Sequence, residues 1–122
     1  MPRLNLVVLR CTDIDAAAEF YGQLGLVFEK HAHGSGPEHY ASEHAGIVFE
    51  LYPASAKSPV TKSTRIGFVV DDVGACMALV EAVGGSIASL PADSPWGRRA
   101  VVRDPDGHTV ELTAKARSAE SR

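Results

Sequence analysis

Residues 96–112, WGRRAVVRDPDGHTVEL, predict two short strands joined by a tight turn. The segment Asp104–Gly107 (DPDG) has the composition of a type I turn, with Asp first, Pro second and Gly last. Because side chains alternate along a strand, Val110 and Leu112 share the face that can enter a core, and Glu111 lies on the other face. The pattern therefore places one carboxylate in the middle of a strand. It faces either bulk water or a pocket.

Length and composition limit the classes of function. The 122 residues are 45% hydrophobic, which is enough for one domain, and the net charge of -3 provides no basic field for nucleic acid. No run approaches the roughly 20 apolar residues that span a bilayer. The first residues enter a strand pattern without the features of a signal peptide, so we expect a cytoplasmic protein with no membrane partner. Cys11 and Cys76 lack a CxxC spacing, which favours buried thiols over a disulfide.

The chain contains the same pattern twice: a strand, a helix and three further strands. The spacing between Asp13 and Asp72, two candidate helix caps, is the same as that between Gly25 and Gly84, two candidate helix stops. Allowing for loops that differ by two residues, Glu50 matches Glu111, so each module has a carboxylate on its last strand. The boundaries are predicted as follows: module 4–52, linker 53–63, module 64–114 and a disordered tail over 115–122.

The elements within each module follow from hydrophobic periodicity and turn residues. We expect one helix to begin at Thr12 or Asp13 and the other at Asp71 or Asp72. The predicted strands cover residues 4–10, 26–31, 38–42, 47–52, 65–70, 86–90, 98–103 and 108–114.

Three segments carry a family resemblance: the helix entry DIDAAAEFY at 13–21, the residues WGR at 96–98 followed by DPDG, and the terminal VEL at 110–112. With these segments the chain resembles the vicinal oxygen chelate superfamily of glyoxalases, bleomycin-resistance proteins and extradiol dioxygenases. The resemblance covers residues 4–113. It implies an α+β fold of two βαβββ modules, whose mixed sheets curl into a cup around a small-molecule ligand, commonly completed in a homodimer.

The resemblance also implies where a metal would bind. In metal-using members the first strand of each module supplies His or Gln, and the last strand supplies Glu. The last-strand positions here are Glu50 and Glu111, but the first-strand positions are Leu6 and Arg65. Leu6 has no lone pair and Arg65 is a permanent cation, so we expect no metal cofactor. A divalent ion held weakly by the two glutamates and water stays open as an alternative.

Other candidate contacts are less defined by the sequence. If Arg65 faces the cup, it pairs with a glutamate or awaits an anionic group of the ligand. Trp96 either closes the rim of the core or forms an aromatic wall for a planar ligand. Alternation turns only one of Arg98 and Arg99 inward, and we take Arg98 as the candidate. Tyr52 is a candidate lining residue.

The histidines have two possible roles. His31 and His33 would share one face of an extended strand, an arrangement that can bind a metal, although loop-lining histidines are the more common case. His108 follows the turn glycine and is explained by the turn.

These observations predict a metal-independent binding protein of the bleomycin-resistance type, which sequesters a small, partly aromatic or cationic compound and so could confer antibiotic resistance. No catalytic residue is assigned on this reading. The alternative is a lyase or isomerase in which Glu50 or Glu111 moves a proton next to a carbonyl, with or without a weakly bound divalent metal. A third reading is a catalytically empty module that is fused or bound to a partner.

Overall fold

A computed structural model describes residues 1–115 of the chain. Contacts divide the chain into two compact units, of which the first covers Met1–Thr61 and the second begins at Lys62. Each unit contains one helix and one four-stranded mixed sheet, which is the predicted α+β class. The predicted tail lies outside the described residues from position 116 onward.

The two units repeat the same order of elements. The first comprises β1 (Leu6–Cys11), α1 (Ile14–Gln23), β2 (Glu29–His31), β3 (His39–His44) and β4 (Ile47–Pro53). The second comprises β5 (Arg65–Val69), α2 (Val73–Ala82), β6 (Ser86–Ser94), β7 (Gly97–Arg103) and β8 (Thr109–Ala114).

The sheets have matching topologies. Their strand orders are β1-β4-β3-β2 and β5-β8-β7-β6, so the last strand of each unit lies between the first and the third. The first and last strands run parallel, while the other neighbours are antiparallel. A glutamate on the last strand therefore has a neighbouring strand on both sides.

Each helix begins at a predicted aspartate cap. The Asp13 carboxylate accepts hydrogen bonds from the backbone N–H groups of Asp15 (2.9 Å) and Ala16 (3.1 Å). The Asp72 carboxylate accepts one, from Ala75 N–H at 3.1 Å. Both caps satisfy amides that the first turn of a helix leaves without partners.

The cores lie between each helix and one face of its sheet. In the first unit Tyr21 packs edge-on against Phe49, with ring centroids 5.1 Å apart. In the second, Val110 and Leu112 are fully buried, which confirms the alternation predicted for the last strand. Cys11 and Cys76 are buried and are not joined in a disulfide, also as predicted.

The DPDG segment forms the predicted turn, with the Asp104 and His108 side chains in contact and buried. Gly107 has φ +92°, and its N–H donates to the Asp104 carbonyl at 3.0 Å. Asp104 Oδ1 accepts from the N–H groups of Asp106 and His108, both at 3.0 Å. The Asp104 Oδ2 atom lies 2.7 Å from His108 Nδ1, and both side chains are fully buried. The turn role of His108 is confirmed.

The largest departure from the predicted strands is in β6. β6 continues past Leu90 to Ser94, because Asp93 and Ser94 pair with Arg98 and Gly97 of β7. The pairing shifts register twice along β6, which lies at the edge of its sheet, where a proline such as Pro91 is tolerated. Among residues 1–115, no helix is long and apolar enough to cross a membrane.

Candidate functional site

The two predicted glutamates occupy equivalent places in their sheets. Glu50 on β4 lies between Val8 of β1 and Ala41 of β3. Glu111 on β8 lies between Gly67 of β5 and Val101 of β7. Both side chains project from the face opposite the helix, with exposed fractions of 19% for Glu50 and 29% for Glu111.

Glu111 is held by two arginines, one from each neighbouring strand. Arg65 Nε donates to Glu111 Oε2. Arg99 Nε donates to Oε1 at 2.9 Å, and Nη2 of the same arginine lies 2.8 Å from Oε1. Each carboxylate oxygen therefore has its own guanidinium partner.

These contacts also fix the charge of Glu111. The hydrogen bond from Arg65, followed by that from Arg99, holds the pKa of the Glu111 carboxyl below its usual value of 4.5. Glu111 therefore stays ionised at neutral pH. It is a poor proton acceptor, because protonation would break charge-assisted hydrogen bonds.

The surroundings of Glu50 are different. His39 Nε2 lies 3.8 Å from Glu50 Oε2, and the imidazole is almost fully buried. The His39 ring stacks on Tyr52, with centroids 4.2 Å apart and planes 8° from parallel. The Arg10 guanidinium lies 4.9 Å from the centroid of the Tyr52 ring. A cationic and aromatic row thus crosses β1, β4 and β3 next to Glu50.

Three imidazoles cluster at the far end of this row. The ring centroids of His31, His33 and His39 are 5.4 to 5.9 Å apart. Within residues 1–115, however, no group of three or more His, Cys, Asp or Glu side chains is arranged to hold a metal ion. The sequence did not single out His39, because only the strand pairing shows that it lies beside Glu50.

The remaining candidates lie as follows. Arg98 forms an ion pair with Asp93 at 3.2 Å on the face of β7 opposite to Arg99. It is Arg99, not Arg98, that contacts Glu111. Trp96 follows β6 at the turn into β7 and is 74% exposed. Leu6 is 50% exposed on the first strand.

A family model described as the Glyoxalase/Bleomycin resistance protein/Dioxygenase superfamily matches residues 3–112. The chain belongs to this superfamily. A Mycolicibacterium smegmatis relative, described as an uncharacterized protein, is 31% identical over 105 residues, which are 86% of this chain and 87% of the relative. A probable lactoylglutathione lyase from Vibrio cholerae is 29% identical over 122 residues, covering 90% of this chain and 88% of that protein.

A solved structure shows the same fold. TnmS3, an antibiotic binding protein from Streptomyces, superposes with a TM-score of 0.74, at 24% identity over 95% of this chain and 98% of that one. At this identity the likeness concerns the fold alone.

The four positions that hold a metal in metal-using members of the superfamily do not suit one here. Leu6 offers no donor atom, and Arg65 brings a fixed positive charge. Glu111 already uses both oxygens for Arg65 and Arg99. Glu50 alone is left, and a catalytic divalent site usually has three protein ligands.

Proposed function

We propose that this protein binds a small, partly aromatic or cationic molecule without a metal and sequesters it stoichiometrically. The proposed contacts, taken within each unit separately, are Glu50 and Tyr52 in the first unit and Arg65, Trp96, Arg99 and Glu111 in the second. Arg99 takes the place predicted for Arg98, because Arg98 pairs with Asp93 on the opposite face of β7. Aromatic surface provides affinity by stacking and burial, while the charged groups orient the ligand.

The observation that carries this proposal is that Arg65 and Arg99 both donate hydrogen bonds to the Glu111 carboxylate. A metal would have to displace both guanidinium groups from the carboxylate and then bind next to them. Both steps oppose binding, because the hydrogen bonds are charge-assisted and the remaining cations repel the metal.

Calorimetric titration with nickel, zinc, manganese and magnesium tests the proposal that the protein binds its ligand without a metal. We expect no tight stoichiometric binding by the natural chain. Arg65→His removes the cation and places an imidazole beside Glu111, so this variant should gain affinity for a divalent metal. Arg98→His, on the opposite face of β7, is the matched control and should gain none. Tight binding by the natural chain would overturn the proposal.

Ligand binding is tested by a thermal-shift screen. TnmS3, which has the same fold, is described as an antibiotic binding protein, so aromatic and glycopeptide antibiotics form the first set, and thiol adducts of 2-oxoaldehydes form the second. A bound compound raises the unfolding temperature by mass action. We expect stabilisation by aromatic compounds that the protein leaves chemically unchanged.

A second candidate is a lyase or isomerase, which the likeness to a probable lactoylglutathione lyase favours. Glu50 would be the proton-transfer group, because within residues 1–115 its carboxylate lies 3.8 Å from His39 Nε2 and forms no salt bridge with an arginine. Turnover of a thiol adduct that Glu50→Gln abolishes, and Ser42→Ala on the neighbouring strand leaves intact, would support the enzyme over the sequestering protein.

The proposal includes a cytoplasmic homodimer. Large apolar side chains are exposed in the second unit, including Val69 (73%), Leu90 (71%) and Trp96 (74%), and such surface is often covered in oligomers. Sedimentation equilibrium of the purified chain distinguishes a dimer from a monomer.

A further inference from the structure

The face of the second sheet that carries Glu111 has an excess of positive charge. Alternation places Arg65, Arg99 and Arg103 on this face, and strand pairing puts them in adjacent rows around Glu111. The single carboxylate neutralises one of these three cations. Arg103 is exposed, and Arg65 is 55% exposed.

The two guanidinium groups at Glu111 keep most of their donors. A guanidinium has five N–H groups, of which Arg65 gives one to Glu111. Arg99 uses its Nε–H and directs Nη2 at the same oxygen. Within the described chain, Glu111 is the only carboxylate that forms an ion pair with either arginine. Glu111 thus holds two arginines in fixed positions without consuming their capacity to bind an anion.

There is also space beside this cluster. Gly67 lies directly opposite Glu111 on β5 and is exposed, so the β5 residue paired with Glu111 has no side chain beyond Cα, and from this strand only Arg65 contacts the carboxylate. A Cβ added at Gly67 would lie 3.8 Å from the Glu111 Cβ, which shows that the glycine is not required by a close approach. The hydroxyl-bearing residues Thr109 and Thr113 flank Glu111 on the same face.

We infer that Arg65 and Arg99 form an anion-binding site that takes the carboxylate or phosphate group of the ligand. The inference rests on the proposed binding function and narrows its ligand to a partly aromatic anion. Planar, always charged guanidinium groups match the oxygens of such a group in pairs. A cationic ligand is disfavoured here, because both oxygens of Glu111 are already engaged and the surrounding charge is positive.

Three naphthalene probes of equal ring size separate charge from aromatic burial: the carboxylate, the amide and the methylamine. Calorimetry on the full chain at neutral pH should show the carboxylate binding about tenfold more tightly than the amide, and the methylamine more weakly than either. The affinity for naphthyl phosphate, compared with that for the naphthalene carboxylate, shows which of the two anionic groups the site prefers. Succinate tests the arginines without a ring.

Four variants assign the effect to the cluster. Arg65→Met and Arg99→Met should each lower affinity for the carboxylate probe by about tenfold or more and leave amide binding unchanged. Arg98→Met is the matched control: the same residue type, on the same strand as Arg99, but on its opposite face. It should bind like the natural chain. Glu111→Gln should strengthen anion binding, because it removes the competing negative charge while its amide oxygen still accepts a hydrogen bond from an arginine. A merely structural ion-pair network would not give this gain.

The outcomes separate the two proposals. Equal affinity for carboxylate and amide, or an equal loss in Arg98→Met, would overturn the anion site while leaving a metal-free binding protein in place. Succinate binding that depends on Arg65, without binding of any aromatic probe, would keep the anion site and overturn the aromatic ligand. Absence of binding by every anion would overturn the anion site.

Discussion

The two units build the same sheet around equivalent glutamates and give them opposite environments. Glu50 has one histidine at 3.8 Å, and that histidine is itself stacked on Tyr52. Glu111 has an arginine on each side. Strand order, pairing direction and position within the sheet are the same in both units. The backbone therefore determines where the carboxylate lies, and the neighbouring side chains determine what it can do.

The connections into the last strand differ as well. In the first unit Ala45 and Gly46, both with positive φ, close a tight hairpin between β3 and β4. In the second unit a longer connection is held by the buried Asp104–His108 pair. The two units therefore connect their third and fourth strands with different turns, although the strands pair in the same way.

The largest expected effect comes from this turn. Asp104→Ala removes three buried or part-buried hydrogen bonds, to the His108 ring and to the N–H groups of Asp106 and His108, so the free energy of unfolding should fall by about 3 kcal/mol. Glu43→Ala changes the exposed residue at the matching position of the first unit and should alter it by less than about 0.5 kcal/mol. Urea denaturation followed by circular dichroism measures both. Equal losses of unfolding free energy in the two variants would show that the buried Asp104 side chain contributes no more to stability than the exposed Glu43.

The helix caps give an intermediate effect. Asp13→Ala removes an acceptor used by two amides and should cost about 1 kcal/mol, whereas Asp72→Ala removes one contact and should cost less. Asp13→Ser restores a capping oxygen and should recover most of the loss. A larger loss for Asp72→Ala in the same urea titration would contradict the ranking.

The smallest effect concerns Glu111 and depends on pH. Its pKa is lower in the folded chain than the ordinary 4.5, so its ionisation stabilises the fold above that value. This stabilisation is lost as the pH falls from 4.5 through the lower native pKa. Glu111→Gln should therefore be less stable than the natural chain by about 0.5 kcal/mol at neutral pH, with the difference shrinking in acid.

A double-mutant cycle provides the control for this effect. In an Arg65→Met background the substitution Glu111→Gln should cost less, because one of the two partners is already absent. A difference that grows as the pH is lowered would reverse the sign and contradict the assignment.

Much of the fold could be predicted from local signals. The aspartate caps, the turn residues of DPDG and the alternation of Val110 and Leu112 all act over a few residues, so the sequence shows them directly. The end of β6 could not be predicted this way. Pro91, Asp93 and Ser94 have the composition of a turn, but pairing with β7 extends the strand through them.

The site was predictable only in part. Repeat spacing placed Glu50 and Glu111 on equivalent strands, and the strand pairing agrees. Alternation alone could not decide between Arg98 and Arg99, because the register of β7 against β8 selects the face. His39 was missed for the same reason: its stacking on Tyr52 depends on contacts between strands.

Because β8 lies between β5 and β7, the carboxylate and its counter-charges belong to different strands and can be substituted independently. The carboxylate comes from the middle strand, but Arg65 and Arg99 come from separate strands on either side of it. Point substitutions on β5 and β7 can therefore exchange the counter-charges without moving the backbone that carries the glutamate. The charge around Glu111 is therefore determined largely by two positions, 65 and 99, on a backbone that both units share.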